Sequence, residues 1–160
     1  DITEKYTDMP IWITGIGQKT TSAGFTKNTS LTSMESTVIA GQSALKMSNH
    51  SISEIDVAEV HDAFSVCEPM ALESLGFTKP GEGINMVQKL HEEDNFMINP
   101  RGGLIGAGHP LGATGISQTI EIVQQLQKTA GNRQTNNPKT GLIHNMSAAA
   151  TSSTVLVLEK

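Results

Sequence analysis

Apolar residues along the chain alternate between a period of two and a period near 3.6, and each switch marks an element boundary. Ile11 to Ile16 (IWITGI), held between Pro10 and Gly17, is a compact β-branched run that predicts a buried strand. The polar stretch from Gln18 to Ser30 has no period and reads as a loop. Thr32-Ser33-Met34-Glu35 has the spacing of a capping box, and Met34, Val38, Gly41 and Leu45 then share one face of a helix ending near Ser48-Asn49. Ile55 to Val60 alternates as a second strand, and Phe64, Cys67, Ala71 and Leu75 mark a helix stopped by Gly76. Gly81 to Glu93 predicts a short helix with Ile84, Val87 and Leu90 inward. From Ile116, the positions Ile116, Ile120, Val123, Leu126 or Gln127, and Ala130 give a longer amphipathic helix closed by Gly131. Gly141 to His144 and Thr154 to Leu158 predict the last two strands.

Strands separated by helices of this length predict one layered α/β domain over residues 1–160, with a largely parallel sheet. The two closing strands leave no room for a helix between them and are expected to pair antiparallel at one edge. Composition narrows the class. With 11 Lys plus Arg against 16 Asp plus Glu the formal charge is −5, which argues against nucleic acid as a partner. No apolar run approaches the roughly 18 residues that span a bilayer, and Asp1 to Pro10 lacks the basic start and apolar core of a signal peptide. A cytoplasmic protein without membrane contact is the expectation. A lone cysteine, Cys67, excludes an internal disulfide and a Cys-based zinc site, and no His-x-x-x-His pair exists, so no metal is expected.

Asn99 to Gly115 (NPRGGLIGAGHPLGATG) stands apart, with six glycines and two prolines in seventeen residues. Few side chains there stand between backbone N–H groups and a ligand. It is not a phosphate-binding fingerprint, because Gly106 and Gly108 are followed by Leu111 rather than Gly and no Gly-Lys-Ser/Thr occurs. Its distinctive element is Gly108-His109-Pro110, a histidine just before a helix start, where the positive end of the helix dipole disfavours imidazolium and suits a neutral general base. His61 follows the second strand directly, at the carboxyl end where open α/β sheets place ligands, with Asp62 beside it to orient or charge it. His144 closes another short strand, while His50 and His91 lie in polar helix ends.

Taken in order, Val60-His61-Asp62-Ala63-Phe64-Ser65, Asn99-Pro100-Arg101-Gly102-Gly103, Gly108-His109-Pro110-Leu111-Gly112-Ala113-Thr114-Gly115 and Gly141-Leu142-Ile143-His144-Asn145 resemble the C-terminal half of thiolases. The similarity is to the sterol-carrier-protein-X-type and archaeal acetyl-CoA acetyltransferase branch, and it runs from Pro10 to the last strand. It implies a β-α-β-α-β-α-β-β half with a mixed, mostly parallel five-stranded sheet and helices on both faces. It also implies acyl transfer through a cysteine thioester and Claisen condensation of acyl-CoA thioesters or its reverse, as in acetoacetyl-CoA formation or thiolysis within lipid metabolism. Coenzyme A enters as the substrate thioester, with no covalently bound cofactor. His109 corresponds to the base that activates the nucleophilic thiol, and His61 to an oxyanion donor for the enolate. Asn145 and the amides near Ser147 and Ala148 correspond to a second oxyanion pocket.

The sequence departs from the family in specific places. The acyl-accepting cysteine belongs to the N-terminal half, so a thiolase N-terminal half is the expected partner, in a homo- or hetero-oligomer. The two positions where relatives carry an acid/base cysteine are Ala63 and Met146 here, and Cys67 falls on an apolar helical stripe. Where relatives have a Gly-rich turn this chain reads Met146-Ser147-Ala148-Ala149-Ala150. Loss of both thiols keeps open a thiolase-fold aldolase, whose relatives depend on a small acyl-CoA-binding companion protein. A non-catalytic acyl-CoA-binding or scaffold subunit is the third reading.

Overall fold

The computed structural model of the chain describes residues 5–24, 30–92 and 97–160. Its strands are β1 (Trp12–Thr20), β2 (Val57–Glu59), β3 (Thr140–Met146) and β4 (Ser152–Glu159). Its α-helices are α1 (Glu35–Ser48), α2 (Cys67–Leu75), α3 (Gly83–Glu92), α4 (Gly103–Ala107) and α5 (Thr114–Gln127). The sheet order is β1-β4-β3-β2, antiparallel between β1 and β4 and between β4 and β3, and parallel between β3 and β2.

Period-two alternation along β4 separates two apolar layers. Val155 and Val157 face the layer that holds Ala40 and Ala44 of α1 and Ala71 and Leu72 of α2, whereas Leu156 and Leu158 face Ile122 and Leu126 of α5. Helices therefore cover both faces, as expected. Small residues let α1 lie directly on β1: a Cβ at Gly15 would stand 2.2 Å from the Ala44 carbonyl oxygen, and one at Gly17 1.9 Å from that of Ala40.

Several expectations need correction. Among the described residues the sheet has four strands and mostly antiparallel ladders, not five mostly parallel ones. Beside β2, where a fifth strand was expected, the described residues make a single parallel bridge, between Ala58 and Ile98, and the chain turns at Asn99 with φ 49°. The closing pair β3 and β4 sits inside the sheet rather than at its edge, since β1 runs on to Thr20 and takes the edge beside β4. Of the expected Gln18 to Ser30 loop, residues 25–29 lie outside the described residues, as do residues 1–4 and the expected helix end at Glu93.

The capping box at Thr32 does not form. Met34 is the N-cap residue, and its N–H donates to Ser74 Oγ at 3.1 Å. The inward face of α1 carries Ser36, Thr37, Ala40, Gly41 and Ala44. Ile84 is exposed, and Met86, Val87 and Leu90 are the residues of α3 that pack on the core. In α5 the face is displaced: Thr114, Gln118, Glu121, Ile122, Gln125 and Leu126 are buried, while Ile116 and Ile120 are exposed. That helix stops at Lys128, in the left-handed conformation, before Gly131 is reached. Gly76 ends α2 as expected, with φ 92°. No helix among the described residues is long and apolar enough to cross a membrane.

Gly17→Ala should force α1 off β1 and lower stability by roughly 1–3 kcal/mol, several degrees in Tm. Gly112→Ala, where an added Cβ meets nothing within 4 Å, is the control. Equal melting temperatures for the two variants would contradict the helix-on-strand packing described here.

Candidate functional site

The carboxyl end of β2 carries the first histidine, and three side-chain acceptors bind the glycine-rich segment to that end. Asn99 Oδ1 accepts the Val60 N–H at 2.8 Å, and Glu59 Oε1 accepts the Arg101 N–H at 3.2 Å. Asp62 Oδ1 accepts the Leu104 N–H, satisfying one of the orphan donors that open α4. Gly103 lies directly beneath that carboxylate with φ 62°, and a Cβ there would stand 2.0 Å from Asp62 Oδ2. Asp62 therefore anchors α4, where the sequence suggested that it orients His61. Arg101 reaches onward to Ser117 Oγ of α5 through Nη1. Burial pushes the fully enclosed Glu59 carboxyl up to about 7, against the opposing pull of the Arg101 N–H and guanidinium.

The second histidine is set by the first turn of α5. His109 Nδ1 lies 2.8 Å from Thr114 Oγ1, and the Thr114 hydroxyl donates to the Pro110 carbonyl at 3.0 Å. A hydroxyl has one proton, so with that proton on Pro110 the Thr114 oxygen accepts from His109. This assigns His109 the Nδ1–H tautomer and leaves Nε2 with a free lone pair. His61 has the opposite arrangement. The Met146 N–H donates to His61 Nδ1 in a long hydrogen bond of 3.5 Å, which assigns the proton to Nε2. The rings meet edge to face, with centroids 4.9 Å apart and planes at 88°. Burial, with a smaller contribution from His109, lowers the His61 imidazole to about 4.

All five residues singled out from the sequence, His61, His109, Asn145, Ser147 and Ala148, line one cavity of about 870 Å³. Asn145 is oriented by α5, its Nδ2 donating to Gln118 Oε1 at 2.9 Å while Gln118 Nε2 donates to the His144 carbonyl at 3.3 Å. The turn beyond β3 holds Ala149 and Ala150 at φ 56° and 51°, a left-handed conformation in which alanine is strained. Ser147 closes the turn with its N–H on the Ser152 carbonyl, 2.9 Å, and its hydroxyl 2.8 Å from Thr151 Oγ1. Ala63 and Met146 line the same cavity, so methyl and thioether groups stand at the two places where the resemblance leads one to expect a thiol. Cys67 belongs to the apolar layer and touches the cavity wall; burial pushes its thiol up, away from thiolate. Among the described residues no group of three or more His, Cys, Asp and Glu side chains is arranged to hold a metal ion.

His144 is fully buried inside β3 rather than presented at its end, and burial lowers it to about 3. Sequence reasoning missed Thr114 and Gln118. A signal existed for Thr114 alone, a polar residue at the start of α5, where side chains reach back to the preceding loop; Gln118 bonds His144 and Asn145 of β3, which no local pattern announces.

Comparison with known proteins agrees with this architecture. Residues 17–160 match the thiolase C-terminal domain-like family. An acetyl-CoA acetyltransferase of Methanothermobacter thermautotrophicus is 35% identical over 162 aligned residues, covering 100% of this chain and 42% of that protein. Human sterol carrier protein 2 is 45% identical over 98 residues, 58% of this chain and 17% of that protein. Among solved structures, an Ltp2-ChsH2(DUF35) aldolase superposes with a TM-score of 0.82 at 22% identity, over 98% of this chain and 42% of that one, a likeness of fold. The chain thus spans well under half the length of the relative that it matches throughout. A match over residues 17–160, together with a relative 35% identical along the whole chain, makes this chain a member of the thiolase C-terminal domain-like family.

Proposed function

We propose that residues 1–160 form the C-terminal, acid–base and oxyanion half of a thiolase-type acyltransferase acting on acyl-CoA thioesters. The observation that carries this reading is the complementary pair of imidazoles in one cavity, a lone pair at His109 Nε2 and a donor at His61 Nε2. In thiolysis of a 3-oxoacyl-CoA, His109 Nε2 takes the proton of a cysteine thiol supplied by the N-terminal half. The thiolate attacks the 3-oxo carbon and forms a thioester, the bond between C2 and C3 breaks, and its electron pair becomes the enolate of acetyl-CoA. The enolate oxygen accepts a hydrogen bond from His61 Nε2–H, which a neutral imidazole in a water-poor site offers at little cost in reorganisation. With Ala63 and Met146 in place of thiols, the proton held on His109 is the one available to the enolate carbon. The acyl group then passes from the cysteine to the thiol of coenzyme A. Ala148 offers its N–H to the thioester oxygen in the second oxyanion pocket, Asn145 borders it, and Ser147, whose own N–H is held by the Ser152 carbonyl, closes the turn beside it.

The remainder of such an enzyme, an N-terminal half, supplies the nucleophile and most coenzyme A contacts; the chain spans only 42% of the acetyl-CoA acetyltransferase that it matches. Exposed apolar side chains at Ile13 and Ile16 of β1 and at Ile116 and Ile120 of α5 give that half a surface to cover. A second reading, aldol cleavage of a 3-hydroxyacyl-CoA, is favoured by the missing thiols: it needs only a base for the hydroxyl proton and a donor for the enolate oxygen. A small acyl-CoA-binding companion would then be the partner.

In a complex assembled with the N-terminal half of an archaeal-type acetyl-CoA acetyltransferase, His109→Ala should lower kcat/KM for acetoacetyl-CoA thiolysis by roughly 10²–10⁴. His61→Ala should cost about 10²–10³ in kcat. Full turnover by the His109→Ala complex would end the proposal. If the complex shows no thiolysis yet cleaves a 3-hydroxyacyl-CoA, and still does so after thiol alkylation, the aldol reading takes its place.

Long-range ¹H–¹⁵N spectra of the imidazoles should show opposite neutral tautomers, Nε2–H for His61 and Nδ1–H for His109. With its folded value lowered to about 4, His61 takes up a proton only as pH falls through that value, so it should stay neutral from pH 8 down to 5.5. A His61 titration centred near 6.5 would contradict the site as described.

A further inference from the structure

We infer that the buried chain of hydroxyls running from His144 through Thr37, Ser153 and Ser36 to the Ala150 carbonyl is a positioning device for the two oxyanion sites. It rests on the reading above, in which His61 and the Ser147–Ala148 turn face acyl oxygens. Thr37 and Ser153 touch no substrate in that reading and act through the groups that they hold.

Proton counting fixes every link. The Ser36 hydroxyl donates to the Ala150 carbonyl, 2.6 Å away, because a carbonyl can only accept. Ser36 has then spent its proton, so across the 2.7 Å contact with Ser153 the donor is Ser153. By the same count Thr37 donates to Ser153 at 2.9 Å, and His144 Nε2–H donates to Thr37 at 3.0 Å. His144 Nδ1 is left as an acceptor, and it lies 3.5 Å from the His61 backbone N–H, which can only donate. A turn of the Thr37 proton to Met34 Sδ, 3.8 Å away, would leave one of these contacts without a proton. The chain thus begins on the main chain of His61, ends on the main chain of the turn, and runs in one direction throughout.

Each member is sealed from water, with Ser36, Thr37 and His144 at 0% exposure and Ser153 at 1%. Apolar isosteres in such a place would be close to neutral for stability, so a polar chain of this kind is a costly way to fill a core. Its two ends explain it. Residues Ala149 and Ala150 both have positive φ, and strain of that sort persists only where neighbours over-determine the backbone. Ser36 supplies that hold from α1, and the same chain fixes where the His61 loop leaves β2. The distance between two donors on separate loops is thereby set by one network inside the fold.

The test uses the chain assembled with its N-terminal half. Thr37→Val, which removes one link at nearly constant shape, should lower kcat by roughly 10- to 100-fold while KM stays within about twofold, the mark of an interaction realised in the transition state. Thr37→Ser should restore most of kcat, and the imidazole ¹⁵N shifts of His144 and His61 should move in the valine variant. Ser153→Ala breaks the chain one link further on and carries the same test if Thr37→Val does not fold. Unchanged kcat and unchanged ring nitrogens in either folded variant overturn the inference, as does a fall in kcat that Thr37→Ser fails to restore. Should the assembled parent turn over no acyl-CoA, the functional reading fails. The ring nitrogens then decide the network: a parent His144 without its proton on Nε2 refutes it, and shifts in the variants support it.

Discussion

Three backbone N–H groups accepted by three side chains hold the site end of this fold together. Asn99 on Val60, Glu59 on Arg101 and Asp62 on Leu104 continue, past the Ala58–Ile98 bridge, the tie between the end of β2 and a segment of six glycines and two prolines. Glycine lets the backbone approach; it does not tell the backbone where to stop. The carboxylate of Asp62, seated on Gly103 where no other residue fits, supplies that stop and starts α4. From there the chain needs only α4 and a short loop to bring His109 against His61.

The two histidines become chemically different through what their buried nitrogens meet. A hydroxyl oxygen on the Nδ1 of one and an amide hydrogen on the Nδ1 of the other turn the same imidazole into an acceptor and a donor. Neutrality of the donor follows from burial, which lowers His61 and also His144 behind it. The pair is therefore suited to moving a proton and holding an oxyanion within one cycle, the common requirement of carbon–carbon bond making and breaking next to a thioester.

α1 illustrates how one element serves both packing and geometry. Its small residues Ala40 and Ala44 let it lie on the glycines of β1, and that close approach brings Ser36 and Thr37 within reach of β3 and β4. A bulkier helix would stand too far from the sheet for hydroxyl contacts under 3.1 Å. The alanine turn at 148–150, unusual in its positive φ values, is supported from that same helix.

The sequence by itself determined most of the element order, the two-sided helical cover and the choice of the two histidines that the fold brings together. Strand endings, glycine content and ordered motifs are local, and His61 and His109 could be chosen from them. Pairing partners and inward faces were decided by tertiary structure. The stripe of Ile116 and Ile120 promised an inward face for α5, yet the sheet received Thr114, Gln118, Glu121 and Gln125. Those polar groups are tolerable inside because each finds a partner beyond the helix: Thr114 on His109, Gln118 on Asn145, Glu121 on Arg133 and Gln125 on Thr135. Periodicity records how apolar a face is, but whether a polar face can be buried depends on hydrogen-bond partners outside the helix, which only the folded loops and β3 bring within reach.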